Sequence, residues 1–101
     1  MRKNSLKSTM INSEVMKTVS EIIRGEVKDP RVAPVTSVTD AEVTTDLKYA
    51  TIYVSVLGDD EQSKKTLQGL KSSSGFIRKE LARRLNLRNT PELKFVLDES
   101  L

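Results

Sequence analysis

The sequence predicts an α+β domain in which helices cover one face of a three-stranded sheet. Apolar residues recur at helical spacing in the first and last thirds of the chain, whereas β-branched residues alternate with polar ones between them. The length of 101 residues suits one domain with a modest core, because a chain of this size buries about 65% of its unfolded surface. The predicted order is helix, strand, strand, helix, kink, helix, strand.

The first helix is predicted from an apolar stripe with spacings of four, four and three residues. We expect a flexible, basic N-terminal tail over residues 1–7 and a single domain over residues 8–101, with the helix beginning near the start of that domain. Asp29 leaves the helical region because Pro30 follows it. The stripe consists of Ile11, Val15, Val19 and Ile22.

Two antiparallel strands are predicted after Pro34. Residues 35–44 are rich in Val and Thr, and a short polar connection over residues 45–48 separates them from a second run over residues 50–57. Alternation in the second run places one set of apolar side chains towards a core, which helices are expected to cover. That set is Ala50, Ile52, Val54 and Val56.

A pair of helices and a final strand complete the pattern. Asp59 or Asp60 is expected to cap the second helix, whose buried side carries Leu67 and Leu70. Residues 72–75 (SSSG) are poor helix formers and predict a kink instead of one long helix. The third helix and the strand after it carry the apolar sets Ile77, Leu81, Leu85 and Leu93, Phe95, Leu97.

Composition removes several classes of function. The chain has no cysteine and no histidine, which excludes disulfides, thiol catalysis, imidazole bases and metal sites built from those residues. No apolar run approaches the ~20 residues of a membrane span, so we expect a cytoplasmic protein that does not enter membranes. No nucleotide-binding or nucleophile motif is present, and no cofactor or small-molecule substrate is expected.

Charge is distributed unevenly along the chain. The net charge is +3, but residues 26–61 carry −5 and residues 62–94 carry +7, with nine basic side chains against two acidic ones. Such a dipolar protein attracts polyanions to its basic end. Lys79 and Arg83 are predicted to lie opposite the apolar stripe of the third helix, with Arg78 and Arg84 beside it. They face either phosphates or, as on many charged helices, only solvent.

Four segments of the sequence resemble the ribosome-binding factor A family. The predicted order of helices and strands is that of the type II KH domain. The four segments follow the family's order and spacing over nearly the whole chain. The family has a kink of the form Ala-x-Gly, and here Ser73 stands in place of the alanine. The segments are residues 27–31 (VKDPR), 45–55 (TDLKYATIYVS), 73–78 (SSGFIR) and 87–95 (LRNTPELKF).

This resemblance implies a non-enzymatic factor that binds the small ribosomal subunit and its ribosomal RNA during maturation and supports growth at low temperature. It favours phosphate contact over simple solvation for the basic helix, and we expect a monomer. The kink is either a phosphate-binding helix N-terminus or a plain corner, and Arg31 either contacts RNA or is held in a rigid turn by a carboxylate. The predicted contact residues are Arg31, Lys71, Ser73, Ser74, Gly75, Arg78, Lys79, Arg83, Arg84 and Arg88.

Three other functions compete with this hypothesis. A general single-stranded RNA-binding module is disfavoured because aromatic side chains for stacking are scarce, with Phe76 and Phe95 expected in the core and Tyr53 either stacking or packing across strands. A protein adaptor would use the acidic strand region. A metal-dependent nuclease would use Asp59 and Asp60, which a helix cap explains more simply.

Overall fold

The computed structural model describes residues 6–99 and contains six elements in the predicted order. The first helix begins two residues before the expected start, and residues 1–5 of the predicted tail lie outside the described residues. The elements are α1 (Leu6–Glu26), β1 (Thr36–Val43), β2 (Tyr49–Val56), α2 (Asp60–Ser72), α3 (Ser74–Arg84) and β3 (Glu92–Leu97).

The sheet has the order β1-β2-β3. Strands β1 and β2 are antiparallel, as predicted, and β3 runs parallel to β2, a direction that the sequence pattern did not specify. A parallel return is possible because α2 and α3 carry the chain back across the sheet between the two strands. Ile52 of β2 lies beside Phe95 of β3 in this register.

A β-bulge in β1 keeps its apolar residues on the covered face. Val38 pairs with β2 before the bulge and Ala41 after it, three positions apart, so one extra residue preserves the inward direction of both. Thr39 lies at the irregularity, and its hydroxyl donates to a carboxylate oxygen of Asp98, 2.6 Å away. The bulge therefore also connects β1 to the segment that follows β3.

The predicted apolar stripes form the core, except that Val56 at the end of β2 lies outside the cluster. Side chains from α1, the three strands, α2 and α3 make one cluster, so the helices cover a single face of the sheet. Within the described residues, no helix is both long and apolar enough to cross a bilayer. The fully buried members are Val15, Val19, Ile22, Ala41, Ile52, Val54, Leu70, Ile77 and Leu81.

The predictions for the two phenylalanines have opposite outcomes. Phe95 is 2% exposed and belongs to the core, as expected, whereas Phe76 is 44% exposed, so its predicted burial was wrong. The buried side of α3 passes through Ile77 and Leu81. Because successive residues on a helix are about 100° apart, Phe76 is turned from that side towards solvent.

Helix α2 packs closely against the turn over residues 29–33. A Cβ atom added at Gly69 would lie 2.9 Å from Cγ2 of Val32, so a larger residue has no room there. One turn earlier, the hydroxyl oxygen of the fully buried Thr66 accepts the N–H of Ala33 at 3.1 Å. These contacts fix the position of α2, and thereby of the α2–α3 junction, relative to the end of α1.

Replacing Thr66 with valine is expected to lower the free energy of unfolding by about 1–2 kcal/mol, because the isosteric side chain leaves the Ala33 N–H without its acceptor. Urea unfolding measures the loss, and amide hydrogen exchange at Ala33 tests its cause. Thr66→Ser keeps the hydroxyl and should keep the protection of that amide. Unchanged protection in Thr66→Val would contradict the prediction.

Candidate nucleic-acid interface

The predicted kink is the junction between α2 and α3. Ser73 is the single residue between the two helices, and its N–H donates to the carbonyls of Gly69 and Leu70 at 3.0 and 3.1 Å. No side chain caps the start of α3, and the Ser74 hydroxyl donates back to the Lys71 carbonyl at 2.8 Å. A Cβ atom added at Gly75 would meet nothing within 4 Å, so a ligand backbone has room to approach there.

Three basic side chains, in α2, in α3 and in the segment that follows α3, carry uncompensated charge. Lys71 lies in the last turn of α2, Lys79 in the middle of α3, and Arg88 follows α3. All three are exposed and form no ion pair with any residue in the range 6–99. A phosphate that approaches them therefore displaces water alone and breaks no internal salt bridge.

Two further basic residues of α3 share the carboxylate of Glu80. The Glu80 side chain is 12% exposed, and its Oε1 accepts from Arg83 at 2.9 Å and from Arg84 at 3.5 Å. Arg84 is 30% exposed and also pairs with Glu26 at the end of α1, whereas Arg83 is 71% exposed. Arg84 thus joins α3 to α1, and Arg83 remains accessible to a ligand.

Arg78 is held against the loop that precedes β3. Its Nε donates to the carbonyl of Pro91 at 3.2 Å, and its NH2 donates to the carbonyl of Thr90 at 2.8 Å. Arg78 was predicted to lie near the kink, but the sequence contains no signal for these bonds. The fixed guanidinium forms part of a groove of about 410 Å³ lined by Gly75, Arg78, Lys79, Ala82, Asn89 and Thr90.

Arg31 lies in the rigid turn that was one of its two predicted alternatives. Its Nε and NH2 donate to the two carboxylate oxygens of Asp29 at 3.0 and 2.6 Å, and its N–H donates to Oδ1 at 2.9 Å. These hydrogen bonds lower the pKa of Asp29 to about 2 and raise the pKa of Arg31. The charge of Arg31 is therefore largely compensated within its own turn.

The acidic residues at the start of α2 act as the cap predicted for them. Asp59 is the N-cap, and its Oδ1 accepts the N–H of Gln62 at 2.8 Å. Asp60 and Glu61 occupy the first turn, where negative charge is favoured by the helix dipole. Among residues 6–99 no group of three potential ligands is arranged to hold a metal ion.

A second part of the groove was missed by sequence analysis. Exposed Tyr49 and Glu92, neighbours at the starts of β2 and β3, line an open depression of about 230 Å³ together with Lys48, Arg78 and Asn89. Periodicity carries no signal for this depression, because loops distant in sequence form it. Tyr53, which was expected either to stack or to pack, donates its hydroxyl to Glu42 across the strands at 2.8 Å.

A small α+β domain with unpaired cationic side chains beside a helix junction has the electrostatic properties of a domain that attracts polyanions. The sequence profile of the family "Ribosome-binding factor A" matches residues 7–101. Ribosome-binding factor A of Lachnospira eligens is 58% identical to the chain, covering all of it and 78% of that protein. The chain belongs to the ribosome-binding factor A family.

Solved structures agree with this assignment. A Thermotoga maritima protein solved by NMR, described as a candidate ribosome binding factor A, has a TM-score of 0.84 at 30% identity over 100% of this chain and 95% of its own. The crystal structure of the Thermus thermophilus factor gives a TM-score of 0.79 at 21% identity over 89% and 94% of the two chains. A homology model of the Thermus thermophilus factor, fitted into a cryo-EM map of a 30S complex, has a TM-score of 0.68 at 22% identity over 84% of this chain and 88% of its own. At these identities the two Thermus thermophilus comparisons show a shared fold.

Proposed function

We propose that this chain is a cytoplasmic assembly factor that binds the small ribosomal subunit and contacts its ribosomal RNA during maturation, without catalysing a reaction. Its family membership supports the target, because the relatives are described as ribosome-binding factors. The observation that carries the site is the unpaired charge of Lys71 and Lys79 beside the kink and of Arg88 in the segment after α3. The same proposal includes support of growth at low temperature, because RNA rearranges more slowly in the cold.

The proposed contact surface has a free part and a braced part. The basic surface, defined as Lys71, Lys79, Arg83 and Arg88, provides phosphate contacts, and the kink residues Ser73, Ser74 and Gly75 allow close approach of the RNA backbone. Arg78 contributes from a fixed position. We assign Arg31 and Arg84 smaller roles, because carboxylates of this chain already hold them.

No chemical step is needed for such a factor to act. A protein that binds one arrangement of the immature RNA more tightly than others raises the population of that arrangement by its difference in affinity. Rigidly held groups such as Arg78 favour a defined shape over a flexible strand, because little ordering is required on binding. The sparse aromatic content also suits a folded RNA target.

The proposed function is tested by co-sedimentation of the chain with purified small subunits at 50 and 200 mM salt. With four or five phosphate contacts, affinity is expected to fall on the order of 100-fold between these conditions, because counterions are released on binding. Large subunits serve as the control and should bind far more weakly. Equal binding to both subunits, or binding indifferent to salt, would contradict the proposal.

A further inference from the structure

The open depression between the turn before β2 and the loop before β3, here called the tyrosine pocket, differs chemically from the basic surface beside it. It is lined by Lys48, Tyr49, Arg78, Asn89 and Glu92 and shares Arg78 and Asn89 with the larger groove. An aromatic ring, a carboxylate and an amide are present together with the cations. Such a mixture suits a nucleobase better than a phosphate alone.

The loops that carry the tyrosine pocket are held by local hydrogen bonds. Asp46 accepts from the Thr44 hydroxyl at 2.7 Å and from the Lys48 N–H at 3.0 Å, which closes the turn before β2. Leu47 is buried with a φ of 61° at the tip of this turn. The Asn89 amide nitrogen donates to the Leu47 carbonyl at 3.0 Å and ties the two loops together. The two loops that carry the pocket are therefore held in place before any ligand arrives.

Tyr49 offers a surface for stacking. It is 57% exposed, although large aromatic side chains usually bury most of their area. It is the first residue of β2, directly after the fixed turn, so its backbone position is well defined. An unpaired base that stacks on this ring would have its edge close to Glu92, the β3 neighbour of Tyr49.

Glu92 is the feature that distinguishes a base from a phosphate. Its carboxylate is exposed and forms no hydrogen bond or ion pair with the described residues of the chain. In a surface that only bound phosphate, a free carboxylate would repel the ligand. An ionised carboxylate accepts hydrogen bonds and donates none, so it selects ligands with N–H donors.

Guanine matches this acceptor better than the other RNA bases. Its Watson–Crick edge places two N–H donors side by side, at N1 and at the 2-amino group, which is the arrangement that a carboxylate accepts from arginine. Adenine and cytosine each place one amino group beside an acceptor nitrogen, and uracil flanks its single N–H with two carbonyls. The Asn89 amide nitrogen donates one of its two hydrogens to the Leu47 carbonyl, and the amide oxygen is left available as an acceptor.

We propose that the tyrosine pocket binds one unpaired guanine of RNA, stacked on Tyr49 and read by Glu92, while Lys48 and Lys79 contact the flanking phosphates. The inference rests on the proposed function and adds a base preference to it. The protein would then read the identity of one base, while its other contacts depend on the shape of the RNA and the positions of its phosphates.

The test uses five labelled pentaribonucleotides, UUXUU, where X is guanosine, adenosine, cytidine, uridine or inosine, with binding followed by fluorescence anisotropy. The guanosine pentamer is expected to bind roughly tenfold more tightly than those with adenosine, cytidine or uridine, the size of one bidentate base contact. Inosine, which lacks the 2-amino group, should lie between. Equal affinity for all five, or no measurable binding of any, overturns the proposal.

Two variants locate the preference. Glu92→Gln is expected to remove the preference for guanosine while leaving the affinity for the other pentamers unchanged or slightly increased, and the exposed carboxylate of Glu21 gives the matched control Glu21→Gln. Tyr49→Leu should weaken the binding of all five pentamers, and Tyr49→Phe, which keeps an aromatic ring, should restore it. A preference that survives Glu92→Gln at full size overturns the pocket assignment. Co-sedimentation with whole subunits separately decides the proposed function.

Discussion

Reversing charge at Lys71, Lys79 and Arg88 together is expected to weaken binding to the small subunit by about 100-fold. Each glutamate removes one phosphate contact and adds repulsion, and the slope of log affinity against log salt should become shallower by about 3. All three side chains are exposed without an ion-pair partner in residues 6–99, so the fold should tolerate the changes. Co-sedimentation over a salt series measures both the affinity and the slope.

A matched variant separates the effect of where the charges lie from the effect of the net charge of the protein. Lys17, Lys28 and Lys94 are also exposed, and replacing all three by glutamate changes the total charge by the same amount. Lys94 lies on the uncovered face of the sheet, and Lys17 on the exposed side of α1. This control should lose only a few-fold in affinity. If it loses as much as the first variant, the basic surface has no special role and the proposed site is wrong.

Periodicity predicted the parts of the fold that depend on one element at a time. The stripe of α1 and the alternation of β2 were confirmed because burial of one face dictates spacing directly. The kink was predictable because four poor helix formers interrupt helical sequence. The direction of β3 and the bulge at Thr39 were not predictable, because both are decided by contacts with a neighbouring strand.

In the candidate site, contacts between residues distant in sequence limited the prediction even more. Sequence identified the basic residues but could not say which of them are paired, because Glu26 lies far along the chain from Arg84. Nor could it reveal that the carbonyls of the loop before β3 hold Arg78. Phe76 was misjudged for a related reason, since its exposure depends on how α3 rotates against the core.

These pairings divide the basic residues into two groups with different tasks. Arg31, Arg78 and Arg84 use their forked guanidinium groups on oxygens of this chain and brace the turn, the loop and the helix pair. Lys71, Lys79 and Arg88 remain available for a ligand. Experiments that mutate both groups at once would confuse loss of fold with loss of binding, so the two groups have to be tested separately.

Arg84→Glu is the sharpest test of the bracing group. It would bring a third carboxylate against Glu80 and Glu26, and breaking a largely buried ion pair commonly costs about 3–5 kcal/mol. The Arg84 side chain is 30% exposed and that of Glu26 is 36% exposed, so screening by water reduces the cost of breaking their ion pair. We therefore expect the free energy of unfolding to fall by about 3 kcal/mol. Urea unfolding with an unchanged m value measures the loss.

The matched substitution is Arg83→Glu, which disturbs the same carboxylate from an exposed position. Arg83 is 71% exposed and pairs with Glu80 alone among the described residues, whereas Arg84 also pairs with Glu26 of α1. Arg83→Glu should therefore cost about 1 kcal/mol, because water screens its charge and α1 keeps its partner. Equal losses for the two variants would mean that the link between α1 and α3 contributes nothing, and that the exposed charge of Arg83 is as structural as that of Arg84.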